Sequence, residues 1–179
     1  DEAPALIVNH PRGNGNYFNY AGYDPATGTA TNPDAWDTRF VGFEVFNGSH
    51  WLSQRDRLVE DWFGFLNHGM RMTAMAVTDT HGISRTPAGE NRTCLRVGRD
   101  TPPVGAVARR EFANTVRDAL ITGTGYGMGG ITVRIDVDGV RPGGTATGLG
   151  DTADVHVVVE APSWVDVDGL EVVVDGQTF

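Results

Sequence analysis

Apolar and polar residues alternate along the first two thirds of the chain in blocks that predict strands, helices and one long loop. Short apolar runs predict buried strands at residues 5–9, 39–46, 72–77 and 93–97. Apolar residues at helical spacing predict helices over residues 52–67 and about 107–121. Residues 13–36 are rich in Gly, Asn, Pro and Tyr, which predicts an irregular loop rather than a helix or strand. This order of elements favours an α/β fold with parallel strands.

The pattern changes after residue 130 to short β runs separated by turns, at residues 131–137, 155–160 and 170–174. We therefore divide the chain into an α/β part, residues 1–126, and a small all-β, sandwich-like module, residues 127–179. The intervening GTGYGMGG contains a G-x-G-x-x-G match, but a dinucleotide site needs a strand before the glycines and a helix after them. We interpret this stretch as a flexible connector.

Composition narrows the classes of partner. The 179 residues carry a net charge of −9, and all fourteen basic residues are arginine. Phosphate binding needs a basic face, so this balance disfavours nucleic acid as a partner. No apolar run approaches the roughly 18 residues that a membrane span requires. The arginine-only composition suggests a GC-rich bacterial genome and leaves open a cytoplasmic or an extracytoplasmic location.

Candidate chemistry lies at the ends of the predicted strands. Asp79 and His81 follow the run at residues 72–77, and His10 follows the first run. A carboxylate and an imidazole that converge suit a zinc- or manganese-type cation, whereas the simpler alternative is a turn at Asp79 and a surface histidine at 81. Glu44 interrupts an apolar strand and must be paired, ligate a metal or lie on a solvated face. Active sites gather at the carboxyl edge of parallel strands, which favours the functional interpretation.

Four motifs resemble one family in order: NHPR at 9–12, GFEVFNG at 42–48, LNHGMRMTAMAVTDTHG at 66–82 and NRTCLRV at 91–97. With the β-rich tail that follows them, the resemblance covers almost the whole chain. The chain resembles the PHP (polymerase and histidinol phosphatase) superfamily of metal-dependent hydrolases, in the branch related to carbamate and ester hydrolases. The resemblance implies a seven-stranded (β/α) barrel holding two or three divalent metals, zinc, manganese or iron, at its C-terminal mouth. This chain would be the C-terminal part of that barrel, followed by the β-rich module.

The resemblance also implies roles for individual residues. His10 would be a ligand of one metal, Asp79 a ligand of a second and His81 a ligand of a third. Groups that lie behind the ligands or contact substrate would be Glu44, Asn47, Arg12 and Tyr17. The family's H-x-H pair, further histidines and bridging acid are expected upstream of Asp1, so we expect the fragment to be inactive alone. We also expect the barrel edge to be covered by that upstream segment or by a second copy.

The implied function is a metal-dependent phosphoesterase or related hydrolase. Its substrates would be small phosphate, carbamate or carboxylic esters, attacked by a metal-activated hydroxide. The aromatic residues between 17 and 36 would shape the substrate pocket. The alternative is a non-catalytic binding or structural protein built on a degenerate scaffold of the same kind.

Overall fold

The computed structural model describes residues 4–48, 51–84 and 88–179. Its strands are β1 (Ile7–Val8), β2 (Tyr23–Asp24), β3 (Thr29–Ala30), β4 (Gly42–Asn47), β5 (Thr73–Val77), β6 (Arg92–Cys94), β7 (Tyr126–Met128), β8 (Thr132–Val137), β9 (Val155–Glu160), β10 (Val173–Val174) and β11 (Gln177–Thr178). Its α-helices are α1 (Tyr17–Ala21), α2 (Trp51–Asn67) and α3 (Ala106–Ile121). The two longer helices confirm the predicted helical segments.

A three-stranded parallel sheet in the order β1-β4-β5 organises the first half of the chain. Helix α2 connects β4 to β5 and packs on β4, which makes this part an α/β structure. The strands among the described residues form one such sheet and four two-stranded pairs, and they do not close into a barrel. The predicted barrel is therefore not seen in this part of the chain, although the α/β class is.

The prediction of an irregular loop over residues 13–36 was wrong. This segment contains helix α1, the antiparallel pair β2-β3 and a 3-10 turn at Pro33–Ala35. Gly22, with φ of 68°, ends α1 in the left-handed conformation, which a residue without a Cβ adopts at no steric cost. Among the glycines and asparagines that predicted an irregular loop, Asn16 and Gly22 are the cap residues of α1.

Except for the exposed Tyr20, the aromatic residues of this segment lie in the core or pack against it. Phe18 is fully buried and Tyr23 is nearly so. The Phe18 ring packs against Phe43 of β4 and Phe65 of α2, and the Tyr23 ring packs against Phe65 and Phe18. The rest of the cluster comprises Phe40, Val45, Leu58 and Met72. Burying a large aromatic side chain contributes about 1.5–3 kcal/mol to the stability of the fold. Segment 13–36 therefore covers the sheet because its aromatic rings are removed from water there.

The glycine-rich stretch at residues 123–130 is a structural element and not a flexible connector. Its central residues form β7, which pairs antiparallel with β6. Gly127 approaches Ala76 of β5 so closely that a Cβ would lie 2.9 Å from the alanine Cβ. Thr93 Oγ1 of β6 also accepts from Ala76 N (2.9 Å) and donates to Ala76 O (3.0 Å). A side chain thus meets the outer edge of β5, where a barrel would continue its ladder.

Two further β pairs follow β7, and the sandwich-like module stays a prediction. Strands β8 and β9 form a six-residue antiparallel pair, and β10-β11 is a two-residue hairpin. None of the helices in the described ranges is long and apolar enough to cross a membrane.

Candidate functional site

The carboxyl ends of the three parallel strands bring the predicted polar residues together. His10 follows β1, Asn47 ends β4 and Asp79 follows β5. Because parallel strands end at the same edge of a sheet, their terminal side chains meet there. The convergence that the sequence predicted for His10 and Asp79 is therefore present, with 3.8 Å between His10 Nε2 and Asp79 Oδ1.

Two left-handed backbone residues aim these side chains across the edge. His10 has φ of 54° and Asp79 has φ of 52°. Positive φ is uncommon for residues other than glycine, and backbone strain of this kind concentrates at functional sites. Strand β5 ends at Val77, so the turn at Asp79 and not the alternation of a strand brings His81 back onto the carboxylate.

A β-bulge places Glu44 and Asn47 on the same side of β4. Residues three apart on a regular strand point to opposite faces. The register against β5 shifts between Glu44 and Phe46, which leaves Val45 as an extra residue and restores a common side. Asn47 Nδ2 consequently donates to Glu44 Oε1 at 3.0 Å. A solvated position for Glu44 is excluded, because the residue is 3% exposed.

The Glu44 carboxylate contacts Nδ1 of the His10 ring. His10 Nδ1 lies 3.0 Å from Oε2 and 3.2 Å from Oε1, and the hydrogen-bond geometry is met only to Oε1. Glu44 Oε2 is therefore a buried oxygen without a hydrogen bond among the described residues. A carboxylate can only accept, so Nδ1 carries the proton and the lone pair of a neutral ring is on Nε2.

The Asp79 carboxylate is the centre of the outer half of the cluster. His81 Nε2 lies 2.9 Å from Asp79 Oδ1, the same oxygen that faces His10 Nε2. Partial burial raises the pKa of Asp79, but the hydrogen bond from Asn47 and the adjacent histidines outweigh burial and hold the pKa below its usual value. Asn47 thereby links both acids of the cluster, and Asp79 is ionised at neutral pH.

Arg12 and Tyr17 lie elsewhere. The Arg12 guanidinium is 5% exposed and forms a bidentate pair with Asp61 of α2, with Nη2–Oδ1 2.5 Å and Nε–Oδ2 2.7 Å. Tyr17 Oη donates to Asp37 O at 2.8 Å and accepts from Asp37 N at 2.6 Å. Arg12 Nη2 also donates to Tyr23 O at 3.0 Å, so both side chains hold segment 13–36 in place and neither belongs to the cluster at the sheet edge.

The donor set fits a divalent cation in its chemistry but is incomplete in number. Neutral imidazole nitrogens and carboxylate oxygens are the ligands that zinc and manganese accept. A carboxylate on the far nitrogen of a ligand histidine, as Glu44 is for His10, is the usual support in metal sites. Within residues 4–48, 51–84 and 88–179, however, no three His, Cys, Asp or Glu side chains surround one point closely enough to hold an ion. Ser49, His50 and residues 85–87, which adjoin the cluster in sequence, lie outside the described residues.

Comparisons with protein-family models, with curated proteins and with solved structures found no match for this chain. The geometry of the cluster therefore carries the functional argument. The bulge that joins Glu44 to Asn47 was missed by sequence reasoning, and the apolar pattern FEVF contains no signal that marks it.

Proposed function

We propose that the protein is a metal-dependent hydrolase of phosphate, carbamate or carboxylic esters, of the PHP type. The observation that supports it is His10, whose Nδ1 faces Glu44 while its Nε2 faces Asp79 Oδ1 3.8 Å away. A neutral ring here directs a lone pair at a carboxylate oxygen, which is repulsive unless a cation lies between them or the ring takes up a second proton. The cluster therefore favours a positive charge between His10 Nε2 and the Asp79 carboxylate.

His10, Asp79 and His81 would each supply a ligand to a set of two or three divalent ions, and Glu44 and Asn47 would position them. A bound divalent ion would supply Lewis acidity, lowering the pKa of a water molecule and neutralising charge that develops on the ester oxygen. The residues of the chain orient the ligands. Glu44 fixes the tautomer of His10, and Asn47 holds both acids in place and helps to keep the pKa of Asp79 below its usual value.

Among the described residues these three side chains do not surround one point, and a zinc ion takes about four donors in tight sites, so each ion would need further donors. In this proposal the remaining donors come from an upstream segment of a PHP-type barrel or from a second copy at the open edge. The exposure of the outer ligands agrees with this, since the His81 side chain is 82% exposed and that of His10 is 48% exposed. The substrate would be a small ester.

The test is a titration of Mn²⁺ followed by the loss of the free-ion electron paramagnetic resonance signal. We expect weak binding to the 179-residue chain that falls at least tenfold in His10→Gln and in Asp79→Asn. His156→Gln is the matched control, because His156 is also exposed and paired to a carboxylate, Asp136, in the β8-β9 pair. Binding that is unchanged in the first two variants would contradict the metal assignment.

Activity is measured separately with p-nitrophenyl phosphate, p-nitrophenyl acetate and an aryl carbamate. We expect no turnover by the 179-residue chain with Mn²⁺ or Zn²⁺. We expect turnover, lost in Asp79→Asn, from a longer gene product whose upstream codons encode an H-x-H strand. Turnover by the short chain would overturn the assignment of missing ligands.

A non-catalytic binding or structural role is the second candidate. It is favoured by one observation, that the polar groups of the cluster largely satisfy one another: Asp79 holds His81, Glu44 holds His10, and Asn47 links the acids. An imidazolium at His10 between two carboxylates would make this a structural ion network. Mn²⁺ titration distinguishes the two, since the structural network predicts no binding at all.

A further inference from the structure

A second concave site lies between α3, β6, β7 and the β8-β9 pair. Its volume is about 880 Å³, which is within the range of about 300–1,000 Å³ typical of small-molecule sites. Within the part of the chain that the structure describes, none of the cluster residues at the sheet edge lines it. This cavity is therefore separate from the candidate metal site.

Apolar side chains from four elements or their flanks form much of the cavity wall. They are Leu95, Val97, Phe112, Val116, Val133 and Val158. Each is half-buried rather than buried, although all face a common space. A gap of this size leaves apolar surface in contact with water and without dispersion partners, so an apolar ligand would gain free energy by filling it.

The rest of the lining is positively charged in a protein that is strongly acidic. Four of the fourteen arginines line the cavity, at positions 96, 99, 134 and 141, beside two aspartates, at positions 100 and 136. The lining thus carries a formal charge of +2, against −9 for the whole chain. Because of this positive charge, the cavity would favour an anion as its ligand.

Three of these guanidinium groups have no partner within the described residues. Arg134 donates to Glu160 at 2.7 Å, whereas the side chains of Arg96, Arg99 and Arg141 make no hydrogen bond or ion pair there. Asp136 is already engaged by His156 Nδ1 at 3.3 Å and by the Gly139 amide at 3.0 Å. Guanidinium forks match carboxylate and phosphate oxygens, so the three groups are available for an oxyanion.

We propose that this cavity binds an amphipathic organic anion, with an apolar chain or ring on the valine- and phenylalanine-lined wall and a carboxylate or phosphate head on the arginines. The proposal does not depend on the metal site. It requires both halves of the ligand, because the apolar wall alone does not select charge and the exposed arginines alone are screened by salt.

Isothermal titration calorimetry with decanoate as the probe ligand tests the proposal. We expect decanoate to bind one site per chain, at least tenfold more tightly than decanol or decyltrimethylammonium, which keep the apolar chain and remove or reverse the charge. A parallel titration with decyl phosphate distinguishes the two head groups. Equal affinity for decanoate and decanol, or no binding of either anion, would overturn the proposal.

The location is tested with variants. Arg96→Gln combined with Arg99→Gln, and separately Arg141→Gln, should each weaken decanoate binding at least fivefold. Arg110→Gln is the matched control, since Arg110 is an exposed arginine of α3 that does not line the cavity. Circular dichroism establishes that each variant is folded. If Arg110→Gln weakens binding as much as the cavity variants, the anion is held by general surface charge and the assigned site is wrong.

Discussion

The imidazole of His10 rests on the carboxylate of Glu44, with Nδ1 3.0 Å from Oε2 and 3.2 Å from Oε1, although 34 residues separate them in the chain. Glu44 is buried and His10 is half exposed, so the acid lies behind the ring and the second ring nitrogen faces outward. The contact with Glu44 therefore orients the His10 ring, so that its Nε2 can serve as a ligand atom at the edge of the sheet.

Glu44→Gln should release His10 from a single tautomer. The amide presents a nitrogen as well as an oxygen to Nδ1, so the preference for the Nδ1-protonated ring weakens. Nitrogen-15 NMR of the histidine ring measures the tautomer directly, and we expect an Nδ1–H signal in the native protein and averaged nitrogen shifts in the variant. Mn²⁺ affinity should also fall about 10–100-fold, as is found for groups that support metal ligands.

The control for Glu44→Gln is the ring signal of His156, which should be unchanged because its partner is Asp136. A His10 ring protonated on Nε2 alone in the native protein would contradict the assigned role of Glu44.

Asp61→Asn should strongly destabilise the protein. It leaves the buried Arg12 guanidinium, which also packs over the rings of Phe18 and Tyr23, without its countercharge. Removing one partner of a buried ion pair costs about 3–5 kcal/mol, measured here as a fall in the free energy of unfolding in urea. Arg39→Gln, in the exposed pair with Asp37, should cost less than about 1 kcal/mol. Equal losses in the two variants would show that burial does not govern the Arg12 pair.

Tyr23→Phe and Tyr17→Phe should have opposite outcomes. Tyr23 Oη is buried and has no hydrogen-bond partner among the described residues, so its removal should leave stability unchanged or raise it. Tyr17 Oη makes two hydrogen bonds with the Asp37 backbone, and its loss should cost about 1 kcal/mol. Urea unfolding of both variants at pH 7 checks the pair, and a large loss for Tyr23→Phe would reveal a partner for its hydroxyl.

Alkaline pH provides a second measurement on Tyr23. Burial, with a contribution from Asp61 that Arg12 partly opposes, raises the Tyr23 pKa to about 12 from its ordinary value of 10.0. Because the native pKa is the higher one, the stability linked to this proton is complete below pH 10 and is lost as pH rises through 12. The native protein should therefore lose more stability than Tyr23→Phe over that interval.

Asp79→Asn should reduce the acid sensitivity of the fold. The native pKa of Asp79 lies below the ordinary value of 3.8, so the unfolded chain takes up the proton first as pH falls. The associated stability is present above pH 3.8 and is lost as pH falls through the native pKa. The urea midpoint should therefore drop less between pH 5 and pH 2 in Asp79→Asn than in the native protein. Asp34→Asn, at an exposed position on the 3-10 turn, is the control and should follow the native curve.

The sequence alone determined the elements whose signals are local. Apolar periodicity located α2 and α3 because a helix that packs on a core must repeat its apolar face every three to four residues. Apolar runs located β4 and β5 because strands covered by other elements exclude polar side chains. From the order of these elements the parallel arrangement followed, and with it the meeting of His10 and Asp79 at one edge.

Only the tertiary structure decided the features that depend on contacts distant in sequence. Residues 13–36 fold into α1 and β2-β3 because their aromatic rings find Phe65 and Phe43, which the local composition does not reveal. The resemblance placed Arg12 at the site, whereas its ion pair with Asp61, 49 residues away, holds it in the core. Glu44 and Asn47 share a side only because β4 bulges against β5. In each case the deciding partner belongs to another element, so a contact distant in sequence, and not local propensity, selects the conformation.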